Sequence, residues 1–264
     1  MRVAALLLLI LLLAPMAYAQ TRPVIAIYSP MYPVDGLADA LNDTYSVEII
    51  DNLTRARGAD VIIILGPLNV SYVEQSVIRG KLKSGGLVIL TSEPRNDSVR
   101  KAVNGILKSL GLPTLVYDDV IYDFIRNAGD PMYPKVDGYV LYSSSLVNRT
   151  DALRRNYTMP SGVAMTNESV RETGRIVRGE AIKVYSGELV IYGGTKMFSD
   201  EKFNDSKTRF DINGRLIINV INEFLKEAES KKEPSLPLID KYLMYIAIAL
   251  FVVAIIKTIK SGRP

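Results

Sequence analysis

The sequence contains no cysteine and no histidine in its 264 residues. Without cysteine there is no disulfide framework and no thiolate nucleophile, so any folded domain is held by its apolar core. Without histidine there is no Ser-His or Cys-His pair, no zinc site of the usual kind and no imidazole base. Only carboxylates, lysine, tyrosine, serine and threonine remain for chemistry. Glutamine is nearly missing as well, at two residues, while Ile, Val, Tyr and Arg are plentiful, a bias that points to a thermophile. Charge of one sign is also lacking where it would matter. The formal net charge is +4, yet residues 20–237 carry 27 basic and 27 acidic side chains, so the excess sits in the ends. A neutral domain with no basic stripe excludes nucleic acid as a partner.

The two ends carry the long apolar runs. A basic start at Arg2, an Ala/Leu core reaching Leu13 and the Ala17–Ala19 small-x-small ending read as a secretory signal peptide over residues 1–19. From Leu238 to Ile259 the chain is almost wholly apolar, about the 20 residues a helix needs to cross a bilayer. Asp240 and Lys241 flank it on one side, Tyr242 and Tyr245 suit an interfacial belt, and Lys257 can snorkel on the other side. The tail over 260–264 is basic and free of acids, which places it in the cytoplasm. The expected plan is a signal peptide (1–19), an extracytoplasmic domain (20–229), a polar linker (230–237), one membrane helix (238–259) and a cytoplasmic tail (260–264).

Eight of the 13 asparagines open an Asn-x-Ser/Thr triplet: Asn42, Asn52, Asn69, Asn96, Asn148, Asn156, Asn167 and Asn204. Chance placement gives roughly one or two. All eight precede the membrane run, so an N-glycosylated cell-surface glycoprotein is expected, and with the thermophile-like composition an archaeal one.

Between the ends, short β-branched strands alternate with amphipathic helices. Pro23–Tyr28, Ser46–Ile50, Asp60–Leu65 and Leu87–Thr91 read as strands, and Val34–Leu41 as a short helix. Ser71 and Glu74 form a capping box that opens a helix ending at Gly85, and Asn96 opens another that stops at Gly111. The middle, residues 114–178, is less regular, with a strand at Gly138–Tyr142. Ala181–Tyr185 and Glu188–Tyr192 then pair across Ser186–Gly187, and a helix from about Asp211 to Glu229 closes the domain. Apolar strands alternating with amphipathic helices predict an α/β fold, a mostly parallel sheet with helices on both faces.

The order of these segments is also familiar. Asp51 and Asn52 follow a strand, the strand Asp60–Leu65 is closed by Gly66 and Pro67, and a helix leads to Gly85–Leu90. Later come Leu189–Asp200, with Gly193 and Gly194 after a strand, and a helix after Asp211. This resembles the glutamine-amidotransferase-like domain of GldG-type proteins, which accompany ABC transporters. It is similar also to the luminal domain of the non-catalytic DDOST subunit of oligosaccharyltransferase and to the GIFT domain of intraflagellar transport. The resemblance implies a class I glutamine amidotransferase or flavodoxin-like sheet with its ligand loops at the strand C-termini. It also implies a membrane-protein partner, contacted through the domain or the membrane helix.

Enzymes of that fold use a cysteine elbow and a histidine, and neither residue occurs here. Ser92, at the corresponding turn, lacks the Gly-x-Ser-x-Gly setting, and its only near carboxylate, Glu93, alternates to the other side of the strand. The reading is therefore a non-catalytic interaction module with no catalytic residue, cofactor or metal. Its candidate contact positions are Asp51, Gly66, Gly193, Gly194, Asp200 and Asp211, of which Asp200 and Asp211 also suit a structural role, pinning a loop by capping the closing helix. Asp118, Asp119 and Asp123 read as a solvated loop rather than a cation site. The other class is a hydrolase or lyase using carboxylates alone on cell-surface glycans, which needs a paired Asp/Glu in a cleft.

Overall fold

The computed structural model describes residues 22–116, 120–122, 127–136, 138–143, 146–148, 163–164, 180–231 and 246. The chain divides into a unit of Arg22–Phe224 and a second made of Met1–Thr21 with Leu225–Pro264. Among the described residues no helix is long and apolar enough to cross a membrane. The expected signal peptide and, Ile246 apart, the expected membrane helix lie outside them.

Four strands open the first unit: β1 (Val24–Tyr28), β2 (Ser46–Ile50), β3 (Val61–Leu65) and β4 (Leu87–Thr91). They are joined through α1 (Asp35–Asn42), a 3-10 turn (Leu53–Gly58) and α2 (Tyr72–Lys83), and β4 leads into α3 (Asp97–Ser109). Short strands follow in the irregular middle: β5 (Thr114–Val116), β6 (Ile121–Tyr122), β7 (Lys135–Val136), β8 (Tyr139–Val140), β9 (Leu146–Asn148) and β10 (Val163–Ala164). They pair among themselves as β5 with β9, β6 with β10 and β7 with β8, outside the main sheet. The hairpin β11 (Glu180–Val184) and β12 (Gly187–Tyr192) returns to that sheet, and α4 (Arg209–Lys231) closes the described chain. The main sheet has six strands in the order β11-β12-β4-β3-β1-β2, all parallel except β11.

Burial on both faces explains why β3 and β4 are apolar throughout: every residue of Val61–Leu65 and Leu87–Thr91 is buried. Residues at alternate positions, Ile62 and Ile64 with Val88 and Leu90, share a core with Ile78 and Leu82 of α2 and Val103 and Ile106 of α3. On the opposite face Tyr192 meets Phe198 edge to face at 5.1 Å, and its hydroxyl donates to the Leu216 carbonyl of α4 at 3.4 Å. The α/β sheet with helices is thus the fold predicted from the strand and helix periods.

The closing helix begins at Arg209, close to the expected start, because Thr208 and Asp211 form a reciprocal cap. The Asp211 carboxylate accepts the Thr208 N–H at 2.7 Å, and the Thr208 hydroxyl accepts the Asp211 N–H at 3.1 Å. Two other details differ from the sequence reading. That helix runs through Ser230 and Lys231, which the reading gave to the linker. The strand expected over Gly138–Tyr142 shrinks to Tyr139–Val140. Buried Asn213 of α4 takes the place of a strand partner there, accepting the Val140 N–H at 3.0 Å and donating to its carbonyl at 2.8 Å.

Candidate functional site

The chain leaves β1 toward β2 on one side of the sheet and leaves β3 toward β4 on the other, so the crevice for a ligand should open above β1 and β3. Its own side chains fill that place. Gly66, just after β3, has φ +60, and a Cβ there would lie 3.0 Å from Thr195 Oγ1 and 3.2 Å from Met31 Sδ. Glycine is needed for both reasons, conformation and closeness. Its N–H donates to Thr91 Oγ1 at 3.1 Å, and Thr91 Oγ1 lies 2.6 Å from Thr195 Oγ1, which in turn donates to the Ser92 carbonyl at 2.8 Å. Because the Thr195 proton goes to that carbonyl, Thr91 donates to Thr195. A buried relay of three hydrogen bonds therefore ties β3, β4 and the loop after β12 together.

Glu93 extends this tie. It is only 5% exposed. Its Oε2 accepts the backbone N–H groups of Thr195 (3.1 Å) and Lys196 (3.0 Å), and its Oε1 accepts the Tyr32 hydroxyl (3.3 Å). Burial pushes the Glu93 carboxyl up to about 7, against the lowering effect of the Lys196 and Thr195 amides. Burial also raises the Tyr32 hydroxyl, with the Glu93 charge adding to it. Tyr142 behaves alike: burial, then Glu93 and Tyr133, raise its hydroxyl, while Arg95 and Arg209 pull it down.

Around Tyr142 lies a stack of planar groups. Tyr133 faces Tyr142 with centroids 5.3 Å apart, and the Arg209 guanidinium sits 4.9 Å from the Tyr133 ring centre and 5.6 Å from that of Phe203. The Tyr142 carbonyl meanwhile presses on the loop after β12, where a Cβ on Gly194 would fall well under 3.0 Å from it. What Gly194 admits is thus a neighbouring stretch of the same chain. Gly193, also buried, joins β12 to this loop.

The remaining candidate residues lie elsewhere. Asp200 accepts the Gly36 N–H at 3.2 Å with both oxygens and so caps α1, whose own N-cap Val34 offers no side-chain acceptor. Asp211 caps α4, and the Thr208 N–H and hydroxyl hold its carboxyl below the usual range. Asp51 stands apart, lining an open cleft of about 490 Å³ with Tyr28, Pro30, Ile49 and Arg55 beyond β1 and β2. Its carboxylate is 3.4 Å from Arg55, which also pairs with Glu48 at 2.5 Å. Asp118, Asp119 and Asp123 lie outside the described residues, among which no group of three His, Cys, Asp or Glu side chains is placed to hold a metal ion.

Sequence reasoning missed Thr195, Arg209 and Asn213, and weighed Glu93 only as a base for Ser92. A signal existed for one of them. Asn213 stands three and four residues before Leu216 and Ile217, on the face of α4 that the apolar spacing buries. Ser92 itself is fully buried, and its Oγ has no hydrogen-bond partner among the described residues. A lone buried hydroxyl stabilises nothing, so Ser92→Ala should leave the unfolding free energy within about 0.5 kcal/mol of the parent or raise it. Urea unfolding measures this, and a loss above that margin would mean Ser92 has a partner.

Of the sequon asparagines, Asn42, Asn52, Asn69 and Asn204 are exposed. Asn52 caps the 3-10 turn through the Thr54 N–H, and Asn204 accepts the Ser206 and Lys207 N–H groups. Asn96 is half-buried: its Oδ1 caps α3 through Val99, and its Nδ2 points at Met31 Sδ, 3.9 Å away. Asn148 falls in β9, and Asn156 and Asn167 lie outside the described residues.

No family model and no curated protein sequence matches the chain. Among solved structures it is similar to the mmIFT52 N-terminal domain, at 13% identity and TM-score 0.47 over 77% of this chain and 97% of that one. It is similar also to a ThuA-like protein from Bacteroides uniformis, at 13% identity and TM-score 0.38 over 77% of this chain and 92% of that one.

Proposed function

We propose that this protein is a non-catalytic interaction module, held at the outer face of a cell membrane by one C-terminal helix and serving as an accessory subunit of a membrane complex. The observation that carries the reading is the state of the position where such a sheet would place its chemistry. Ser92 is sealed in the core with no hydrogen-bond partner among the described residues, and Glu93 engages both oxygens with the chain's own Tyr32, Thr195 and Lys196. A group engaged in this way by the chain's own donors holds loops rather than attacks a substrate. Within the α/β class, the finer kinship is with the class I glutamine amidotransferase or flavodoxin-like domains of the GldG and DDOST type, without their enzymes' cysteine and histidine. The complex served would be a transporter or a glycan-transfer machine.

Topology belongs to the same reading. The apolar run over 238–259, the basic tail and the sequons ahead of it support a type I arrangement with glycans outside. Four exposed sequon side chains leave room for them.

One observation favours the enzyme alternative. A carboxyl raised to about 7 is poised for proton transfer near neutral pH, as a carboxylate-dependent hydrolase or lyase acting on glycans would require.

The deciding experiment uses the full chain with a tag after Pro264. It should sediment with membranes, lose its domain but not its tag to protease on intact cells, and co-purify in mild detergent with a fixed set of membrane proteins. Removal of residues 238–264 should abolish that co-purification, because the anchor supplies the effective concentration at the partner. Turnover of glycan, amide or ester substrates that disappears in Glu93→Gln would sink the module reading in favour of the enzyme.

A further inference from the structure

An arginine removed from water is almost always paired with a carboxylate, since an unpaired buried charge is costly. Arg209 is only 9% exposed and has no such partner among the described residues. Among the described residues its buried Nε has no acceptor, and its one polar side-chain contact is a long donation from Nη2 to the Tyr133 hydroxyl at 3.5 Å. The Tyr133 and Phe203 rings cover the guanidinium, at 4.9 and 5.6 Å from their centres. Such stacking fixes the plane of the cation but satisfies none of its in-plane N–H donors, which is how an arginine is held ready for a planar or tetrahedral anion. Arg209 is also the first residue of the 23-residue α4, whose N-terminal positive potential the Asp211 cap partly offsets.

A second arginine, Arg95, lies close enough in the fold for its charge to reach Tyr142. Arg95 is exposed, makes no ion pair among the described residues, and holds a left-handed backbone at φ +59 that a non-glycine side chain rarely adopts. The Tyr142 hydroxyl feels both Arg95 and Arg209. Among the described residues no carboxylate lies within ion-pair distance of either arginine. Lys196 already pairs with Glu201 at 3.1 Å, and buried Glu93 is committed to the Tyr32 hydroxyl and two backbone amides.

The geometry points to a binding site for a small anion of the carboxylate or phosphate class, centred on the buried Arg209 guanidinium against Tyr133 and Phe203, with Arg95 adding its charge from outside. The anion accepts the Arg209 edge donors, where charge-assisted pairing is strongest. This site stands whether or not the protein is a membrane-complex subunit, because it uses only residues of the α/β unit.

The test titrates the full-length chain, purified in mild detergent, with inorganic phosphate, glucuronate and, as a neutral control, glucose. Calorimetry and thermal unfolding are the readouts. Saturable heat and a rise in Tm are expected with at least one of the two anions and not with glucose, and the affinity should fall as salt is raised. A response to phosphate alone or to glucuronate alone assigns the anion and supports the site. Arg95→Gln, at an exposed position, should weaken the binding about tenfold, and Arg209→Gln should abolish it. Should Arg209→Gln fail to fold, Arg95→Gln decides. No saturable binding of either anion, or binding unchanged in Arg95→Gln, overturns the assignment.

Discussion

Glu93→Ala is expected to lower the unfolding free energy by about 3 kcal/mol, because it leaves the buried N–H groups of Thr195 and Lys196 without their acceptor. For a domain of this size that is a Tm loss of roughly 10 °C. Glu93→Gln should behave differently, since an amide oxygen can still accept both N–H groups and the amide NH2 can meet the Tyr32 oxygen. The pH dependence separates the two ideas of what Glu93 does. Its folded value, about 7, lies above its ordinary value of 4.5. The folded protein therefore holds a proton that the unfolded chain has released between those two values, and stability falls as pH rises through that window. The contribution is fully present below 4.5 and lost by about 7, a difference on the order of 3 kcal/mol. Glu93→Gln should flatten this slope and be the more stable protein above pH 7. Unfolding midpoints in urea at pH 5 and pH 8 measure the effect. A parent protein equally stable at both values, or a Gln variant with the parent's slope, would remove Glu93 as the cause.

Gly194→Ala is the second large effect expected. The added methyl would meet the Tyr142 carbonyl oxygen well under 3.0 Å away, and that oxygen is backbone, unable to swing aside as a side chain would. Either the loop after β12 or the segment bearing Tyr142 must move, at a cost of about 3 kcal/mol. Displacing Tyr142 also disturbs its stack on Tyr133, so the loss reaches the Arg209 site. Gly105→Ala is the matched control. Gly105 lies inside α3 with nothing within 4 Å of a built Cβ, so alanine there should stabilise by roughly 0.5–1 kcal/mol. Thermal unfolding of the two variants side by side is sufficient. Equal stability for both would mean that Gly194 and Tyr142 do not approach each other.

Much of the sheet was legible beforehand for a physical reason. Val61–Leu65 and Leu87–Thr91 are buried on both faces, so they appear in the chain as unbroken apolar runs. Likewise the Ser71 and Glu74 cap is a local device, complete within four residues, and it forms as read: Ser71 Oγ accepts the Glu74 N–H at 3.3 Å while Glu74 accepts the Ser71 N–H at 2.9 Å. The irregular middle gave no such period. Only β7 and β8 pair locally, across residues 137 and 138, while β5 with β9 and β6 with β10 pair at separations that no local pattern encodes.

The candidate site lay mostly beyond the sequence. Asp200 and Asp211 were singled out together, yet one caps α1 from 164 residues away and the other caps its own helix. Asp51 turned out to stand in a separate cleft beyond β2. Local order alone determined what hydrogen bonds and apolar spacing within a few residues can fix: strand runs, helix caps and the absence of a histidine or cysteine nucleophile. Tertiary structure alone decided that Glu93 clamps amides 102 and 103 residues away and that Arg209 is buried against the Tyr133 and Phe203 rings with no carboxylate partner among the described residues. Burial and electrostatic pairing depend on which distant segments surround a side chain, and that is set only once the sheet has closed.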